Sequence, residues 1–226
     1  MNDLRGSPAY WQTVQYDVLA MIRQLGIPTW FLTLSAADMK WPDVIQHIAN
    51  QYETHLTEED VVNMTWEDKC KWLSSNPVTA ARHFQYRLDM FFKEFLCCKP
   101  HPIGEIIDFV IRIEFQARGS PHAHIIIWVK DAPTLEINGK EAVAEFIDKY
   151  QSCHIPEAEG KLKDMVLSLL KHKHSSTCRK HGACRFKFPR MPSENTIIAS
   201  EPEDPESKKQ KLLHATQVLG SEANPV

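Results

Sequence analysis

The sequence predicts an α+β fold, and three observations carry that reading. Ile106–Gln116 (IIDFVIRIEFQ) and His122–Val129 (HAHIIIWV) are strand-like runs separated only by Ala117–Pro121 (ARGSP), a short Gly-containing linker suited to a hairpin loop. Trp30–Ser35 (WFLTLS) is a third run, aromatic and apolar, and reads as a buried strand. Around these runs, the apolar residues of Tyr10–Leu25 and Pro77–Leu96 recur at intervals of three and four, the spacing of amphipathic helices.

The remaining elements follow in order. Gly26 and Pro28 close the first helix. Trp41-Pro42 is a helix entry with proline at the first turn, so residues 42–52 are predicted helical, and Asn76-Pro77 opens the long helix in the same way. Residues 141–150 and about 161–172 are the last predicted helices. From about 191 the chain is polar, Pro-rich and acidic, which reads as a linker or disordered tail.

Composition excludes several classes of function. Lys and Arg total 26 against 29 Asp and Glu, so any nucleic-acid contact must be local rather than a property of the whole chain. No apolar run approaches the roughly 20 residues of a spanning helix, and residues 1–8 carry no apolar signal-peptide core. The chain therefore reads as soluble and intracellular, with no membrane partner. Its six cysteines sit in a chain long enough to bury a core without disulfide staples, and Cys70, Cys97 and Cys98 read as small buried hydrophobes.

His122 and His124 stand two apart in a predicted strand, so the two-residue period turns both rings to one face. A second H-x-H, His172 and His174, shows that the bare pattern is weak. With a loop at 117–121, Gln116 is expected opposite His122 and Glu114 opposite His124, all on one side of the pleat. Two imidazoles with a carboxylate or amide oxygen form a three-ligand set that leaves positions open for water or a phosphate oxygen, as a catalytic divalent-metal site requires.

The stretch RIEFQARGSPHAHIIIW (112–128) resembles the HUH region of the Rep nuclease of Helitron transposons, the helitron helicase-like domain of rolling-circle Rep-helicases. Three further blocks agree in order: GSPAYWQ (6–12), LGIPTWFLTLSAADMKWPD (25–43) and NPVTAARHFQYRLDMFFKEF (76–95). The resemblance implies an HUH-type, ferredoxin-like antiparallel sheet with flanking helices, and a single-stranded DNA endonuclease and strand-transfer activity at transposon ends. It implies Mg or Mn held by His122 and His124, a tyrosine that forms a 5′-phosphotyrosine link, a helicase domain in cis and a nuclear location. By the same resemblance the metal polarises the scissile phosphate while the tyrosine makes the covalent intermediate.

The sequence departs from that family in two places. Its five tyrosines include no Y-x-x-x-Y pair, and only Tyr150 follows the histidines, which makes it the candidate nucleophile by position. No G-x-x-x-x-G-K-[ST] phosphate loop is present. The chain is accordingly expected to be a fragment lacking the downstream tyrosine motif and the helicase. A catalytically inactive single-stranded-DNA-binding remnant is the alternative reading, and a water-activating metallohydrolase using the same ligands is a third.

Residues 172–188 (HKHSSTCRKHGACRFKF) concentrate His172, His174, Cys178, His181 and Cys184, a density of soft ligands that suggests structural zinc. A Cys/His element before CRFKFP (184–189) is also part of the family resemblance. The preferred ligand set is Cys153, His174, Cys178 and Cys184, with His172 as the alternative histidine. Lys171, Lys173, Arg179, Lys180, Arg185, Lys187 and Arg190 make the same segment basic without an acid, and Phe186 and Phe188 are interleaved to stack on unpaired bases. The expected organisation is a nuclease-like domain over 1–152, a zinc-binding basic element over 153–190 and a tail over 191–226.

Overall fold

The computed structural model describes residues 4, 6–115, 119–176, 178–180, 182–191, 193 and 195–199, without the Lys180 side chain. Gln116, His181 and the tail from 200 onward lie outside the described residues. The chain divides into two compact units, 1–132 and 133–226.

In the first unit, Ser7 caps α1 (Pro8–Leu25) by accepting from the Tyr10 amide, Pro8 takes the first helical position, and Gly26 at φ 81° ends the helix. Three antiparallel strands follow: β1 (Trp30–Ser35), β2 (Ile106–Phe115) and β3 (Pro121–Val129), in the spatial order β1-β3-β2. Side chains alternate along central β3. Ala123, Ile125 and Ile127 are fully buried on one face, while His122 and His124 are half-buried on the other.

The buried face packs on α5 (Pro77–Phe91) and on the π-helical turn Phe92–Leu96 that continues it. Phe84, Leu88, Phe92 and Leu96 recur every four residues, all are buried, and the Phe92 ring meets Phe109 of β2 with centroids 4.7 Å apart. α1 lies along the opposite, histidine-bearing face. It is tied there by Trp128 Nε1, which donates to the Gly26 carbonyl at 2.9 Å, and by the Arg112 guanidinium, 4.7 Å above the Trp11 ring.

A separate apolar cluster of Val44, Ile45, Ile48, Val61 and Leu73 holds α2 (Pro42–Gln51), α3 (Glu58–Asn63) and α4 (Trp66–Ser75) together. α3 and α4 are not predicted from apolar spacing; each starts at a threonine cap with an aspartate three residues on, Thr57 with Asp60 and Thr65 with Asp68. Two expectations about burial are corrected. β1 is an edge strand with Phe31 and Ser35 exposed, and Cys97 is exposed while Cys70 and Cys98 are half-buried.

The second unit contains α6 (Leu135–Tyr150), which runs longer than predicted and is broken at Gly139 (φ 80°, ψ 177°). α7 (Lys161–Met165) continues as a π-helical turn to Leu170. A small hairpin, β4 (Arg179–Lys180) and β5 (Ala183–Cys184), follows. Among the described residues, no helix is long and apolar enough to cross a membrane.

Candidate functional site

The alternation that buries Ile125 necessarily turns His122 and His124 outward on the face shared with Thr33 and Ser35 of β1 and with Arg112 and Glu114 of β2. The register differs from the expectation by two residues. Glu114, not Gln116, stands opposite His122, and Arg112, not Glu114, stands opposite His124. A slip of two preserves the face, so Glu114 remains beside the histidines.

Each imidazole is oriented from the edge strand. The Ser35 hydroxyl bonds His122 Nδ1 at 2.8 Å, and the Thr33 hydroxyl bonds His124 Nδ1 at 3.2 Å. A hydroxyl can donate or accept, so either tautomer is accommodated, and Nε2 is the ring nitrogen left to face outward. Glu114 Oε2 lies 3.2 Å from His124 Nε2, both groups being partly open to solvent. Adjacent ligands on an octahedral ion with bonds near 2.1 Å sit about 3 Å apart, so this nitrogen and this oxygen are spaced as two such ligands. Asp38 ties the loop after β1 to the hairpin loop through a 2.8 Å bond from Ser120.

The second unit carries the other group of ligands. His172, His174, Cys178 and Cys184 offer four ligand atoms that all lie within 4.8 Å of one another. Sγ of Cys178 is 3.5 Å from His174 Nδ1, and Sγ of Cys184 is 3.5 Å from His172 Nε2. The Ser175 amide donates to Cys178 Sγ at 3.2 Å. Burial opposes ionisation of Cys184, yet the Phe188, Phe186 and Lys187 amides and Cys178 outweigh it, so the thiol is held below its usual range. Two nitrogens and two sulfurs brought this close are a group that could hold a metal ion such as zinc. His172 is part of this group, whereas Cys153 is exposed and stands outside it.

Around that group, Lys171, Lys173, Arg179, Arg185, Lys187 and Arg190 are exposed, and the Lys180 side chain lies outside the described residues. Phe186 and Phe188 are half-buried. His172 stacks on Phe188 at 4.3 Å, Arg190 lies 5.0 Å from the Phe188 ring, and Arg185 lies 4.5 Å from that of Phe186. These rings are thus engaged within the element itself. Tyr150 ends α6 with its ring against Phe146 at 5.0 Å and beneath the Lys149 ammonium.

Sequence reasoning did not single out Thr33, Ser35 or Arg112. The signal was present in WFLTLS, whose two hydroxyls alternate with leucines and so mark a polar face on an apolar strand. Residues 1–127 match the family model of the Helitron helicase-like domain at N-terminus. No curated protein matches the chain. No solved structure matches it either.

Proposed function

The chain belongs to the Helitron helicase-like N-terminal domain family, and from that premise we propose that it is the HUH-type DNA-nicking and strand-transfer part of a rolling-circle transposase. The observation that carries the reading is the outward pair His122 and His124, each oriented through Nδ1 by a β1 hydroxyl, with Glu114 against one of them. In this reading the sheet is the HUH, ferredoxin-like sheet. His122, His124 and Glu114 hold Mg or Mn, with Gln116 as a further oxygen donor. The metal supplies a Lewis acid for the scissile phosphate. Thr33 and Ser35 fix the rings through Nδ1, and Glu114 adds a carboxylate oxygen beside His124.

The nucleophile is a tyrosine, for which Tyr150 is the candidate in this chain, and a helicase domain acts in cis. The substrate is single-stranded DNA at transposon ends, which gives the protein a nuclear site of action. His172, His174, Cys178 and Cys184 hold structural zinc, and the basic residues around them contact phosphates. The test is incubation with fluorescent single-stranded DNA and Mn, beside a His122→Ala/His124→Ala variant. Nicking with a denaturation-resistant protein–DNA adduct, lost in the variant, is expected; an adduct that also disappears in Tyr150→Phe assigns the nucleophile. Metal-dependent binding without nicking replaces this reading with the inactive DNA-binding one, and release of a free 5′-phosphate without an adduct replaces it with water activation.

A further inference from the structure

The histidine-bearing face of the sheet carries an aromatic side chain that neither the ligand set nor the core uses. Phe31 of β1 is on the same face as Thr33 and Ser35, two and four residues before them, and is 56 % exposed. Its ring is nearly parallel to that of His124, with an interplanar angle of 15° and centroids 6.0 Å apart. The other described members of that face nearest the histidines, Thr33, Ser35, Arg112 and Glu114, are polar or charged, so Phe31 is an open aromatic surface on a polar platform. On the far side of His124, directly opposite it on β2, Arg112 is exposed with its guanidinium held over Trp11. An aromatic plane, a pair of metal-type ligands and a guanidinium thus lie across three adjacent strands.

We propose that Phe31 stacks a nucleobase next to the phosphate presented to His122 and His124, while Arg112 contacts a neighbouring phosphate of the same strand. This rests on the reading of the face as a single-stranded DNA site. Every base has a π-face, so one exposed ring beside the ligands grips unpaired DNA without selecting sequence, and a duplex, whose bases are stacked on each other, does not offer that face. Arg112 suits the other half of a nucleotide, since a guanidinium donates several N–H bonds to phosphate oxygens, and this one is already held over the Trp11 ring at 4.7 Å. Phe186 and Phe188 are engaged by His172 and arginines within their own element, so Phe31 is the better exposed ring of the three.

The test measures binding of the full chain to fluorescein-labelled dT20 and to a 20-mer of the same backbone made entirely of abasic sites. Wild type is compared with Phe31→Leu, Phe31→Trp and Arg112→Ala. Phe31→Leu keeps an apolar side chain on β1, and is expected to weaken dT20 binding about 5- to 150-fold while leaving the abasic strand unaffected. Phe31→Trp retains binding to both. Arg112→Ala weakens both strands together and lowers the salt slope by about one. Equal weakening of both strands by Phe31→Leu, or no weakening of either, overturns the stacking role alone. Binding of neither strand by wild type overturns the DNA reading of the face, and the stacking role with it.

Discussion

Glu114 faces His122 across the β2–β3 pair yet makes its contact diagonally, with His124 Nε2 at 3.2 Å. The diagonal is reachable because a glutamate spans the extra distance between staggered positions on one face. It places the carboxylate on the nitrogen that the Thr33 hydroxyl leaves free, so one imidazole is held from both neighbouring strands. Ser35 holds His122 in the same way as Thr33 holds His124, so removing either hydroxyl should act on metal affinity rather than on folding. Thr33→Val and Ser35→Ala are each expected to weaken Mn binding about 10- to 100-fold with little change in melting temperature. Calorimetric titration with Mn checks this, and unchanged affinity in both variants would count against the histidine pair as a metal site.

The Cys/His group yields a stoichiometric test. The chain should purify with about one zinc, as a closed four-ligand site holds its ion through desalting. His172→Ala and Cys178→Ser should lose it, and Cys153→Ser should keep it, because Cys153 stands outside the four converging atoms. Chelation should lower the melting temperature of wild type and leave that of Cys178→Ser unmoved. Zinc measured per chain decides the ligand set, and loss in Cys153→Ser would return Cys153 to it.

What was legible in the sequence follows from which interactions are local. The period of apolar residues placed α1, β1, β2, β3 and α5 within a few residues of their observed bounds, because amphipathicity is written into neighbouring positions. The face of Glu114 was legible and its partner was not. Parity depends only on position in the strand, whereas register depends on the turn, and Pro121, assigned to the loop from the sequence, is instead the first residue of β3 and pairs with Phe115. The choice of His172 over Cys153 depends on how the chain from 153 to 184 doubles back, a non-local matter that spacing does not encode. The Phe31–His124 stack is likewise a contact between residues 93 positions apart.

α3 and α4 were not read from the sequence, although it carries a different signal for them. Their apolar periodicity is weak, but both T-x-x-D pairs are hydrogen-bonded caps: the Asp60 amide donates to Thr57 Oγ1 at 3.1 Å, and the Asp68 amide to Thr65 Oγ1 at 3.2 Å. Thr57→Ala and Thr65→Ala should each cost about 1 kcal/mol. Urea denaturation measures it; unaltered midpoints in both would show that packing on α2 alone holds these short helices.

The junction of α2 with α5 should make stability fall in acid. Arg87 donates from Nη2 to Asp43 Oδ2 at 2.7 Å and from Nε to His83 Nε2 at 2.8 Å, and Trp41 covers the guanidinium at 4.6 Å. Because His83 Nε2 accepts from Arg87, the ring is neutral and its 3.2 Å approach to Asp43 is not a charged pair. Burial, with Arg87 and His47, holds His83 below the ordinary value of 6.5 despite the opposing pull of Asp43. The unfolded chain then takes up the proton first, so the contribution of neutral His83 is present above 6.5 and is lost as pH falls below it. For Asp43, burial favours the neutral form, but the Arg87 hydrogen bond, the charge that His83 takes up in acid and the Arg87 charge outweigh it and hold the carboxyl below 3.8. Its contribution persists above 3.8 and is lost only as pH falls through the lower folded value. His83→Gln keeps an acceptor for Arg87 without a titrating ring. Its melting temperature should drop less than that of wild type between pH 7 and 5, and the difference so opened should persist below pH 4, where Asp43 titrates in both. Parallel curves across the whole range would show that His83 is not the group that senses acid at this junction.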